Sequence, residues 1–377
     1  MFPRRHPLGG AFRAALVPGL ALVCAGLLHL AGGARAQGSG APNLEARQGD
    51  FVITDFHFSS GETLARLRLH YMTLGAPSRD HAGAVTNAVL ILHGTGGSGR
   101  QFLAPQFAGE LFGPGQPLDV RRYYIILPDD IGHGGSSKPS DGPRMAFPRY
   151  RYADMVEAEH ALVTRGLGAA HLRLLMGTSM GCMHAFMWAE RWPRAMDAVA
   201  PLACLPVAIA GRNRLWRSMI VEAVKSDPAW RGGTYAAEPR EGLIAAADIL
   251  ALAGGAPAQM QKTMPAAADA DAYLKTYLAG ALPRLDANDL IYQVESSRDY
   301  DPSADLGKII APVMWINSAD DFINPPELGV AEGEARRLAR GRFVLLPISE
   351  ATHGHGTHTW AAAWKPYLVE LLEESRR

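Results

Sequence analysis

Cysteine is scarce, with three in 377 residues, too few for the disulfide-dense scaffold of a small secreted domain. Neither sign of charge prevails: 37 basic residues face 37 acidic ones. That balance leaves no basic field for nucleic acid and no acidic tail. No internal repeat is present, and composition points to neither disorder, collagen nor a coiled coil. What remains is ordinary for a globular enzyme, 48% hydrophobic and 20% charged. Enzymes that alternate strands and helices often run to this length as one domain.

One apolar run stands apart. Arg4 and Arg5 precede the stretch Ala14 to Leu28, and Ala34-Arg35-Ala36 supplies a small-x-small pattern ahead of Gln37. These three parts predict a secretory signal peptide over residues 1–36. The competing reading is an uncleaved anchor, for which the apolar run is short. The expected location is therefore secreted or periplasmic, with no membrane attachment after cleavage. Setting the leader aside removes Arg4, Arg5, Arg13 and Arg35 and no acid, so the remainder is slightly acidic. Cys24 leaves as well. Cys182 and Cys204 are expected as two separately buried thiols rather than as a bridge.

After a Gly/Ala/Ser-rich lead-in from Gly32 to Pro42, Phe51 to Phe56 and Arg66 to Leu74 alternate apolar and polar residues. That is the pattern of half-buried strands, with Ser59 to Glu62 as their turn. Val89 to Leu92, Tyr124 to Leu127 and Leu172 to Met176 are short and apolar throughout. Val199 to Ala203, Val313 to Ile316 and Phe343 to Leu346 continue the series. Strands covered by helices on both faces read this way. Helical patterns at Tyr152 to Leu167, Cys182 to Arg191 and Thr359 to Leu372 fall between or after them. The alternation predicts a doubly wound, mostly parallel sheet of eight strands with an antiparallel start. About 205–305 carries helical patterns and no clear strand, which predicts a helical cap inserted between two core strands.

Gly177-Thr178-Ser179-Met180-Gly181 sits between a buried strand and a helical run. In that setting the motif predicts the nucleophile elbow of an α/β-hydrolase fold. Small flanking residues permit a tight turn that raises the Ser179 hydroxyl above the sheet and aims the Met180 amide at a developing oxyanion. A hydroxyl needs a base to take its proton and a third group to orient that base. The fold's chain order is serine, acid, histidine. Asp320 and Asp321 follow the strand after the cap, and the residues alone leave both open. His353, His355 and His358 follow the last strand. His355, flanked by glycines ahead of the closing helix, is the chosen base. The same three histidines resemble a metal cluster, but Thr357 stands where such sites carry Asp, so no metal and no cofactor is expected. The Gly-rich loop His93 to Gly99 follows its strand directly and should bring a second oxyanion donor, the Thr95 amide first and Gly96 next. It lacks the Lys-Ser/Thr ending of a phosphate loop. Asp130 to Ser136 reads as a tight structural turn.

These segments together resemble the homoserine O-acetyltransferase family over nearly all of the chain beyond the leader. Gly177 to Gly181 with Met183 and Trp188 is similar to that family's elbow. Asn87 to Leu90, Asp154-Met155-Val156, Asn213 to Arg217, Asp227 to Trp230, Gly232 to Tyr235 and Asp286-Ala287-Asn288 are similar to further family segments. The resemblance implies Asp321 as the acid, because it stands four residues before Pro325 of the Pro325-Pro326 pair. It also implies His355, within Gly354-His355, as the base, and Arg217 as a residue that engages a substrate carboxylate. The chain departs from the family in its Gly-rich loop, in Cys182 for a glycine and in His184 for glutamine.

An exported protein has no access to cytosolic acetyl-CoA, whereas water is always present. The sequence therefore favours a serine hydrolase acting on a small ester or related acyl substrate, carboxylate-bearing if Arg217 reaches it. Acyl transfer of the homoserine O-acetyltransferase type is the alternative, and a non-catalytic binding protein the second. Oligomeric state stays open, a homodimer included.

Overall fold

The computed structural model describes residues 44–376; the expected leader and most of the lead-in lie outside the described residues. Eight strands form one sheet in the order β1-β2-β4-β3-β5-β6-β7-β8. They are β1 Arg47–His57, β2 Thr63–Leu74, β3 Ala88–Leu92, β4 Tyr124–Pro128, β5 Leu174–Thr178, β6 Val199–Leu202, β7 Val313–Ser318 and β8 Gly341–Leu346. The pairs β1–β2 and β2–β4 are antiparallel and all others parallel. This is the α/β-hydrolase fold, with all eight strands where hydrophobic patterning places them.

The two-residue period of a strand sorts its side chains between two cores. Ala88, Leu90 and Leu92 enter one with Tyr124, Ile126 and Trp315. Val89 and Ile91 enter the other with Ile125, Leu127, Met314 and Ile316. The first core is closed by α2 (Tyr152–Ala161) and α3 (Met180–Arg191), the second by α1 (Pro105–Leu111) and α10 (Lys365–Glu374). Two helix boundaries differ from expectation. The α2 run widens into a π turn over Leu162–Gly166, where the Thr164 hydroxyl donates back to the His160 carbonyl at 2.7 Å. The closing helix begins at Lys365 rather than Thr359, because Pro366 has no N–H and fits the first turn.

Between β6 and β7 the chain forms α4 (Gly211–Ser226), α5 (Arg240–Gly254), α6 (Pro257–Thr263), α7 (Ala267–Ala281) and α8 (Ala287–Glu295). These helices have a small core of their own around Trp216, Ile220, Leu243 and Ile291. Three of the cap segments singled out by resemblance, at 227–230, 232–235 and 286–288, form one hydrogen-bonded cluster. Asn288 accepts the Trp230 indole N–H and donates to the Gly233 carbonyl, both at 3.0 Å, while Asp227 accepts the amides of Ala229 and Gly242. Gly233 has φ +91, and a Cβ there would strike Met145. Among the described residues no single helix is long and apolar enough to cross a membrane.

The expectation of separate thiols is overturned. Cys182 and Cys204 form a disulfide, with Cα atoms 5.9 Å apart. β5 and β6 are parallel neighbours, so the first turn of α3 and the residues leaving β6 emerge at the same sheet edge. Sequence separation concealed that proximity.

Candidate active site

The turn from β5 into α3 holds Ser179 at φ +55, ψ −111, a conformation that costs a non-glycine residue energy and persists only where its surroundings impose it. Its neighbours supply that constraint. A Cβ on Gly177 would overlap the Gly181 carbonyl, and one on Gly181 would overlap the Leu92 carbonyl. The Ser179 amide donates to the Leu202 carbonyl and the Gly181 amide to His93, both at 2.9 Å. The elbow is thereby fixed to β3 and β6, and the Ser179 side chain stands at the carboxyl edge of the sheet.

Two loops bring its partners. His355 Nε2 lies 2.8 Å from Ser179 Oγ, and His355 Nδ1 lies 2.9 Å from Asp321 Oδ2. Asp321 also accepts the amides of Ile323 and Asn324 and the Asn324 side-chain N–H. Burial alone would raise the Asp321 carboxyl, but His355 and the Asn324 donors hold it below its ordinary value. The structure thus places Ser179, His355 and Asp321 in one hydrogen-bonded line. Asp320 takes no part in it. It accepts the Gly354 amide at 3.0 Å and the Ser318 hydroxyl, so it secures the loop that carries the histidine.

The other two histidines separate. His353 stacks on Trp360 at 4.0 Å. His358, half-buried, lies edge-on to His355 at 5.3 Å, and desolvation followed by the His355 charge pushes it down to about 3. The three do not converge as ligands among the described residues.

The Gly-rich loop reaches the serine. A Cβ on Gly94 would lie 3.2 Å from Ser179 Cβ, a tight contact that glycine avoids, so the loop leading to Thr95 packs directly against the serine. Met180 begins α3, and its amide has no carbonyl four residues earlier in the helix. From the cap, Gln293 of α8 donates to the Gly132 carbonyl at 2.8 Å while its side-chain oxygen faces Gly96. Sequence reasoning did not mark Gln293, which bridges two loops far apart in the chain.

Arg217 is not a surface residue. It is 3% exposed, stacks on Trp216 at 4.6 Å, and donates to Asn213 and Ser297. Burial lowers its pKa, which the adjoining Tyr152 partly offsets. Among the described residues it forms no ion pair; Glu295, whose charge also acts on it, pairs instead with Arg214 of the same helix at 2.6 Å. A buried cation whose hydrogen-bond partners among the described residues are neutral is electrostatically incomplete.

Behind the elbow lies a buried group that sequence reasoning missed: Asp130, Glu159 and His184, with donor atoms within 4.8 Å of one another. Metals use such residues, but both Glu159 oxygens are already engaged, by His184 Nδ1 at 2.8 Å and the Trp188 indole at 3.0 Å.

A serine, a histidine and a carboxylate in line at the carboxyl edge of this sheet define the chain by class as an α/β-fold protein equipped for acyl chemistry. The sequence profile of the alpha/beta hydrolase fold family matches residues 87–346. A probable acyltransferase of Methanothermobacter thermautotrophicus is 30% identical, covering 80% of this chain and 91% of that protein. A homoserine O-acetyltransferase of Moorella thermoacetica is also 30% identical, covering 84% and 94%. An acetylester hydrolase structure from Corynebacterium glutamicum aligns with TM-score 0.75 at 21% identity, over 87% of this chain and 96% of that one. A homoserine O-acetyltransferase structure from Bacillus anthracis aligns with TM-score 0.74 at 20% identity, over 87% and 97%. The chain belongs to the alpha/beta hydrolase fold family and, within it, to the homoserine O-acetyltransferase-like group. It is an enzyme of the hydrolase or acyltransferase type.

Proposed function

We propose that the protein is an exported serine hydrolase that cleaves a small ester or related acyl substrate through an acyl-enzyme. The observation that carries this reading is the line Ser179 Oγ–His355 Nε2, His355 Nδ1–Asp321 Oδ2. His355 takes the hydroxyl proton as Ser179 Oγ bonds to the acyl carbon, and the amides of Met180 and Thr95 receive the oxyanion. The carbonyl re-forms as the C–O bond to the leaving alcohol breaks, and that alcohol takes the proton from His355. Water then repeats the sequence on the acyl-enzyme, releasing the acid and restoring Ser179. The buried, unpaired Arg217 supports a substrate that carries a carboxylate. The Cys182–Cys204 bridge supports export, since such bonds persist in oxidising compartments.

A second reading, acyl transfer to a small hydroxyl compound, is favoured by the curated relatives named as acyltransferases. One assay separates the two. Purified protein is offered a chromogenic short-chain ester, and in parallel acetyl-CoA with homoserine, with Ser179→Ala as control. Ester cleavage lost in the control, without homoserine-dependent thiol release, is the expected result. Thiol release dependent on homoserine would reverse the assignment.

A further inference from the structure

The group behind the elbow is fully buried, and each of its protons can be placed from its partners. Glu159 Oε1 faces His184 Nδ1 at 2.8 Å, and Glu159 Oε2 accepts the Trp188 indole N–H at 3.0 Å. A carboxyl with an N–H aimed at each oxygen is the ionised partner. The Asp130 oxygens meet no N–H or hydroxyl donor among the described residues. Asp130 Oδ2 lies 3.6 Å from His93 Nε2 and 3.7 Å from His184 Nδ1, beside Glu159. Two adjacent buried carboxyls do not both ionise; Glu159 holds the charge against its two N–H donors, so Asp130, with an oxygen within 4.8 Å of it, is the carboxyl that keeps the proton. His184 Nε2 has no hydrogen-bond partner among the described residues, as befits a ring protonated at Nδ1 alone. Burial, then the Glu159 charge, sets the Asp130 carboxyl well above its ordinary range. Burial pushes Glu159 up to about 7, opposed by its bonds from Asp130 and Trp188.

This group continues toward the serine. The Asp130 amide donates to His93 Nε2 at 3.0 Å, so His93 carries its proton on Nδ1 and donates it to the Gly94 carbonyl at 2.8 Å. Gly94 packs on Ser179, and the His93 carbonyl accepts the Gly181 amide of the elbow. The remaining neighbours are rings: His133 at 5.0 Å from His93, and Tyr152 edge-on to His184 at 4.7 Å.

We infer that Asp130, Glu159 and His184 are positioning residues, joined by one carboxyl proton, that act through His93 to hold the Gly94–Thr95 loop against Ser179. The inference rests on the reading of Ser179 and the Thr95 amide given above. It predicts an asymmetry between two isosteric amides. In Asp130→Asn the new N–H₂ replaces the acid proton as donor to Glu159. In Glu159→Gln the new N–H₂ opposes a donor it formerly accepted.

The test measures the rate at which a fluorophosphonate labels Ser179 in folded wild type and in both variants. It is paired with ¹⁵N-histidine spectra that observe the His93 and His184 Nδ1 protons. Glu159→Gln is expected to slow labelling at least about tenfold, as a misplaced catalytic loop does, and to lose both proton signals. Asp130→Asn should stay within about threefold of wild type and keep them. In Glu159→Gln, ester turnover should fall in kcat with little change in KM when rates are normalised to active sites titrated to completion by the fluorophosphonate, so that a smaller folded fraction contributes nothing. Equal damage in the two variants, normal labelling in Glu159→Gln, or stoichiometric divalent metal in purified wild type overturns the inference. If wild type itself takes no label, the Ser179 reading fails, while the histidine spectra still decide whether the proton network exists.

Discussion

Asp320 and Asp321 hold two sides of one loop: Asp321 Oδ2 lies 2.9 Å from His355 Nδ1, and Asp320 Oδ2 accepts the Gly354 amide at 3.0 Å. Adjacent and chemically identical, they have unequal tasks. Asp321→Asn removes the acceptor that orients the imidazole, and about a 10⁴-fold fall in kcat is expected with the fold retained. Asp320→Asn still offers an oxygen to Gly354 and should lose no more than about tenfold. Ester turnover beside circular dichroism checks both. Equal losses would show that the division of labour is wrong.

The difference between those two residues marks how far the sequence could be read. The first two strands were legible from their alternation of apolar and polar residues, and the other six from short apolar runs spaced between helical patterns, as in a covered sheet. The elbow was legible because Gly177 and Gly181 flank Ser179 between a strand and a helix. Neither signal separates Asp320 from Asp321, since both lie past β7; the resemblance pointed to Asp321 through its spacing to Pro325, and the arriving histidine loop sets that residue against His355. The Cys182–Cys204 bridge, the Gln293 contact and the Asp130–Glu159–His184 group depend on which strand ends become neighbours. Local patterning carries no record of that. His184 stood out only as a departure from family sequence, without its partners.

The disulfide gives a prediction about stability. It closes a loop with a sequence separation of 22, for which chain entropy gives about 3 kcal/mol. A Cys182→Ala/Cys204→Ala double variant should melt a few degrees lower, roughly 3–5 °C. A phosphine reductant should destabilise the wild type and leave the variant unmoved. Two titratable thiols in denatured, unreduced wild type would rule the bridge out.

Glu190, near the end of α3, gives a prediction about pH. Burial first, then Asp305, raises it to about 8 from an ordinary value of 4.5. A raised carboxyl contributes stability that is complete below pH 4.5 and is lost as pH rises through about 8. Wild type should therefore weaken between these limits. Glu190→Gln, which has no charge to bury, should flatten the curve and gain on the order of 1–2 kcal/mol at pH 8.5, discounted for its partial exposure. Urea midpoints for both proteins at pH 5 and 8.5 measure this. Parallel pH curves would place the titrating group elsewhere.

Arg217 gives the prediction most informative about substrate. It is 3% exposed, and the hydrogen bonds it donates to side chains among the described residues go to the neutral groups of Asn213 and Ser297, so a carboxylate is the ligand its charge best suits. Arg217→Gln keeps most of the polar packing and removes the cation. For an ester bearing a free carboxylate, kcat/KM should fall by about 10- to 100-fold, the scale of a charge-assisted hydrogen bond of roughly 1.5–3 kcal/mol. For a neutral ester of the same acyl chain it should change by less than about threefold, because no charge is matched there. Equal losses on both esters would mean that Arg217 supports the cap alone, and the expectation of a carboxylate-bearing substrate would be withdrawn.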